Sequence, residues 1–134
     1  MERTKERRHR LGAAGVLRDV RLAAAKARLD TLDWYPRRVR IGRVRILTVP
    51  WLFRLPYMRR FDGYATYNLI LLRRRDASAD LVTHELCHQW QMQHHPIRMP
   101  LSYLRSYEDN RYEIEARRAT ALTAERPAAR TPGT

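Results

Sequence analysis

With a single cysteine, Cys87, the chain cannot build an intramolecular disulfide framework. Packing must hold the fold, and the thiol content suits a reducing compartment. Long apolar runs are missing as well. Arg18, Arg21, Lys26 and Arg28 interrupt the apolar residues near the N-terminus, which argues against a secretory core and a transmembrane helix there, so the cytoplasm is the expected location. Acidic residues are scarce: 14 aspartates and glutamates face 27 lysines and arginines, a formal charge of +13. The simplest account of that excess is a solvated basic surface. The same field draws polyanions such as nucleic acid, an acidic membrane face or acidic substrates, less strongly at high salt. No internal repeat is present.

What is present, 134 residues, suffices for one domain with one core and is too short for two. The expected division is a basic N-terminal helix within 1–33, a core over 34–123 and a loose tail over 124–134, where Pro127, Pro132 and Gly133 stand among few apolar residues. Residues 11–32 place Leu11, Val16, Val20, Ala23, Ala24, Ala27 and Leu32 near helical spacing, a pattern that suits a helix docked over a sheet. Val39, Ile41, Val44, Ile46 and Val49 predict one or two strands bent at Gly42. Trp51 to Tyr57, between Pro50 and Pro56 or just beyond, reads as an ordered, core-packed loop. After the Asp62-Gly63 turn, Tyr64 to Leu72 has the composition of one strand.

Asp76 or Ser78 then supplies an N-cap, with Asp80 at the positive end of the dipole, for a helix that runs to about His95 before Pro96. Pro100 suits the first turn of another helix, Glu108-Asp109-Asn110 interrupts it, and a last helix covers roughly Arg111 to Ala124.

The long central helix carries His84-Glu85-Leu86-Cys87-His88, an H-E-x-x-H pattern. Residues four apart stand one above the other on a helix, so His84 and His88 share a face and can hold one metal ion. Zinc suits two neutral imidazoles with room for a third protein ligand and a water. Glu85 is rotated by about 100° from His84, outside the ligand set but within reach of a water that the metal activates. It would take that water's proton during attack on a carbonyl carbon and pass it to the leaving amine. Cys87 is better placed as a packed thiol than as a ligand.

Several residues compete to be the third ligand. His94 stands at the spacing of H-E-x-x-H-x-x-G-x-x-H, but Gln91 occupies the glycine position. A helix continued through Gln91 leaves His94 about two-thirds of a turn out of phase with His88. Glu113, on the last helix, would complete a two-His, one-Glu site. Glu115 faces another way, and Glu108 is a remoter option.

His84 to His88 with Gln89-Trp90-Gln91, followed by Glu113-Ile114-Glu115-Ala116, resembles the minimal gluzincin metallopeptidases over about residues 64–118. The gluzincin downstream motif is commonly E-x-x-A-D, and matching its alanine to Ala116 makes Glu113 the implied ligand. Arg117 stands where the family has an aspartate that supports a zinc histidine, so that support must come from elsewhere. The resemblance implies a tyrosine or histidine oxyanion helper, with Tyr103, Tyr107 and Tyr112 as candidates. It also implies an edge strand within Tyr64 to Leu72 that aligns an extended peptide.

The expectation is therefore a zincin-like α+β domain in which a small twisted sheet packs on the active-site helix, with a basic N-terminal helix and C-terminal helices around them. The expected activity is zinc-dependent hydrolysis of peptide or protein substrates. The competing expectation is a basic nucleic-acid or membrane-surface binding protein whose metal site is structural or inactive.

Overall fold

The computed structural model describes residues 20–104, 107 and 109–124. The first part of the expected N-terminal helix, the tail beyond 124 and Glu108 lie outside that range. Residues 20–29 are helical (α1). There follow β1 (Arg45–Thr48), a 3-10 turn (Pro50–Arg54), β2 (Gly63–Ala65), β3 (Leu69–Leu72), α2 (Ala79–His94), α3 (Arg98–Ser102) and α4 (Arg111–Thr123). The fold is α+β.

The sheet has the order β1-β3-β2. β1 pairs with β3 in parallel and β2 with β3 antiparallel, so β3 is central and β2 is an edge. Two strand expectations change. Residues 39–44 form no strand, although Val39 and Val44 are buried; their apolar spacing reflects core contact made from irregular backbone. The single strand expected over 64–72 is a tight hairpin, because the backbone turns at 66–68, where Thr66 N–H donates to the Leu69 carbonyl at 2.8 Å.

α2 starts at Ser78, whose hydroxyl accepts the Leu81 N–H at 3.1 Å, a cap worth about 1 kcal/mol. Asp80 lies in the first turn. The helix packs against β2, β3, α3 and α4, so it is buried on most sides from Val82 to Met92. A helix in that position must find partners for its polar side chains, and α2 uses them to tie down irregular segments. Gln89 donates to the carbonyls of Thr66 and Leu69 in the β2-β3 hairpin. Trp90 Nε1 donates to the Arg37 carbonyl at 2.7 Å. Gln93 accepts the Arg40 N–H at 2.9 Å and donates to its carbonyl at 2.8 Å.

Leu22, Ala25 and Leu29 recur at helical spacing and turn the inner face of α1 onto Val39, Ile46, Ile70, Leu72, Leu86, Trp90, Ala116 and Ala119, the main core. Arg28 joins three helices: its Nη2 meets Asp80 at 2.8 Å and its Nε donates to the Thr123 carbonyl at 2.8 Å, at the negative end of α4. Among the described residues no helix is long and apolar enough to cross a membrane.

Candidate metal centre

His84 and His88 of α2 face α4, whose start is fixed by Asn110: its side chain accepts the Tyr112 N–H at 2.8 Å. That cap places Glu113 in the first turn, opposite His84 and His88. His84 Nε2 lies 2.9 Å from Glu113 Oε1, His88 Nε2 lies 2.9 Å from Glu113 Oε2, and the two Nε2 atoms are 3.2 Å apart. These three residues form a group able to hold a metal ion. Ligand atoms at about 2.0 to 2.1 Å from a tetrahedral cation stand about 3.3 to 3.4 Å from one another; the contacts here are a few tenths of an ångström shorter and reach both oxygens of Glu113, so the donors are close enough for one ion to hold after a small outward shift. The chemistry fits equally well. Two imidazole nitrogens and a carboxylate are intermediate donors, suited to zinc and to neighbouring first-row divalent ions.

Burial alone would raise the Glu113 carboxyl, but hydrogen bonds from His84 and His88 outweigh it and hold the group below the usual carboxylate range. For His88 the signs reverse. Burial lowers its tendency to bind a proton, and Glu113, Glu85 and Gln91 together raise it above the ordinary imidazole value.

Gln91 supplies the support that Arg117 cannot give. Fully buried, it donates through Nε2 to the Tyr112 carbonyl at 2.8 Å and to Glu115 at 3.2 Å. Those two acceptors fix the amide, so its oxygen faces His88 Nδ1 at 2.9 Å. Nδ1 therefore carries a proton, and when the proton that Nε2 shares with Glu113 is given up, as holding a metal requires, the neutral ring is left with its lone pair on Nε2. Tyr35 completes the chain with a hydrogen bond to Glu115. No described side chain gives His84 Nδ1 comparable support. Replacing Gln91 by leucine should weaken zinc binding by about tenfold to a hundredfold, read by competition with a chromophoric chelator. Unchanged affinity in a variant with unchanged melting would show that the contact does not orient His88.

The remaining candidates fall elsewhere. His94 stacks on Tyr35 with ring centroids 4.7 Å apart, and its Nδ1 meets the Trp90 carbonyl at 3.0 Å. Glu115 is occupied by Tyr35 and Gln91. Cys87 is buried, and burial raises its thiol well above the ordinary value, reinforced by Glu115 and Glu113. Arg117 Nε approaches Glu113 Oε1 at 3.5 Å, so at the position where the resemblance has an acid, this chain sets a positive charge beside the carboxylate.

A cleft of about 230 Å³ opens beside the triangle, with Glu85, His88, Glu113, Tyr103 and Tyr107 in its lining. Glu85 is 6% exposed. Burial raises its carboxyl above the ordinary value, against the pull of His88 and His84. It lies against the edge strand, where a Cβ on Gly63 would stand 3.1 Å from Glu85 Cγ and 3.2 Å from Oε1; only glycine leaves this carboxylate undisturbed. Tyr103 Oη is 3.3 Å from Glu113 Oε2 and 3.4 Å from His88 Nδ1, distances at the long end for hydrogen bonds. Tyr112 instead sits in a core cluster with Met92 and Met99. Sequence reasoning missed Gln91 as a partner of His88, Tyr35 as the end of that chain, and Gly63. The available signal was the three-residue step from His88 to Gln91, which sets both on one side of a helix. No protein family, curated protein or solved structure matches the chain, which leaves the donor triangle and its cleft as the ground on which a function is assigned.

Proposed function

We propose that the protein is a zinc-dependent peptide hydrolase with a zincin-like fold, in which His84, His88 and Glu113 hold the metal and Glu85 is the general base. The observation that carries this reading is the convergence of three ligand atoms from two helices beside a cleft that also contains a buried, proton-hungry carboxylate. A bound divalent ion supplies Lewis acidity, polarising a carbonyl and bringing the ionisation of a water toward neutral pH.

The chain's own residues do the rest. Glu85, with its proton affinity raised by burial, accepts a proton from the attacking water as oxygen bonds to the carbonyl carbon. It then delivers that proton to the amine nitrogen as the C–N bond breaks. Tyr103 stays a phenol, because burial and the adjacent Glu113 charge oppose its ionisation, so it can donate a hydrogen bond to the developing oxyanion. The free edge of β2, beside Glu85, offers backbone groups to an extended peptide.

The purified chain is expected to carry zinc near one ion per molecule and to cleave a mixed peptide library. Cleavage should disappear with a chelator and return with zinc. A zinc-loaded, folded protein that cleaves no peptide would overturn the hydrolase reading.

A further inference from the structure

The segment between α1 and β2 carries a second arrangement, apart from the metal ligands. Residues 34–61 contain eight arginines and no aspartate or glutamate. Its second half, 50–61, is sorted by direction. Phe53, Met58 and Phe61 turn inward and form their own core cluster, packed against Leu52, Leu71 and Tyr107. Trp51, Leu55 and Tyr57 turn outward and are 65%, 49% and 62% exposed. Arg54, Arg59 and Arg60 are exposed among them, and no described acid forms an ion pair with any of the three. The inward anchors tie the loop to the core while these six residues stay exposed.

We propose that this loop docks the protein on an anionic membrane surface, with Trp51 and Leu55 entering the boundary between headgroups and acyl chains and Arg54, Arg59 and Arg60 resting on lipid phosphates. Tryptophan and tyrosine favour that boundary because each joins an apolar body to a polar tip, and arginines beside them gain from a negative surface potential. The charge pattern argues against a second copy of the chain, whose identical face would repel. It also favours lipid over nucleic acid: Leu55 has no ring to stack on a base, and a polynucleotide offers no apolar phase to a leucine. Tyr57 lines the metal-site cleft as well, so docking brings the mouth of the cleft to the membrane. The proposal does not depend on the hydrolase reading.

The test uses the full chain with vesicles of phosphatidylcholine alone and of phosphatidylcholine mixed with phosphatidylglycerol. The chain should sediment with the mixed vesicles, be released by salt and ignore the neutral ones. Trp51→Ser combined with Leu55→Ser keeps the net charge, and it should lower the partition coefficient about tenfold or more, given the apolar area withdrawn. In the unaltered chain, brominated lipid should quench tryptophan fluorescence, a readout that needs no variant to fold. Failure to bind anionic vesicles, absence of quenching, or an equal partition coefficient for the folded double variant would overturn the proposal. So would single-stranded RNA binding that the double substitution abolishes while vesicle binding persists.

Discussion

Glu85→Gln is expected to lower peptide cleavage by about two to four orders of magnitude, the range of a lost general base, while zinc content stays the same. Glutamine keeps the shape of the side chain, so its packing against Gly63 survives. It loses the ability to take a proton. Glu85 is not among the ligand atoms, so the metal should remain, measured by atomic absorption on the same preparation used for kinetics. Burial already disfavours the Glu85 charge; a neutral amide removes that cost, and the variant should melt at the same temperature or higher. A variant that keeps its zinc and cleaves as fast as the original would sink the assignment of Glu85.

Glu113→Gln should have the largest effect on the metal. Losing one of three protein ligands costs more than the tenfold to hundredfold that goes with a supporting partner, about three orders of magnitude in affinity, or near 4 kcal/mol. Competition against chelators of graded strength reads that change, and a loss below about tenfold would move the third ligand away from Glu113. The same substitution alters the response to pH. The hydrogen bonds from His84 and His88 hold the Glu113 carboxyl below its ordinary value despite burial. A depressed carboxylate contributes stability that is fully present above its unfolded value and is lost as pH falls through the folded one. The substituted chain should therefore melt lower at neutral pH, and the gap should close in acid.

The parts of the fold legible in the sequence were those written locally. Ser78, Asp80 and Pro96 bracket α2 within a residue or so of its observed ends, because caps and prolines act over one turn. The pairing of His84 with His88 follows from helix pitch alone. Glu113 could be favoured but not fixed, since its place depends on how α4 crosses α2, a tertiary property. The hairpin inside 64–72 is hidden because strand composition runs through the turn, whose carbonyls at Thr66 and Leu69 are satisfied by Gln89 from another element. By sequence the aromatic loop after β1 reads as core. Only half of it is, since Phe53 and Met58 are buried while Trp51 and Tyr57 are not. By sequence Gln91 is the residue that puts His94 out of phase, and its bonds to Tyr112 and Glu115 give it a second task.

That task has a consequence for acid behaviour. A carboxylate beside a ligand histidine can take up a proton, turn from acceptor to donor, and thereby reverse the ring's tautomer. Gln91 is an amide and has no such titration, and its nitrogen is engaged by the Tyr112 carbonyl and Glu115. The acceptor on His88 Nδ1 therefore does not become a donor by taking up a proton itself, and what acid does to this histidine it does by protonating the ring, whose hold on a proton Glu113, Glu85 and Gln91 strengthen.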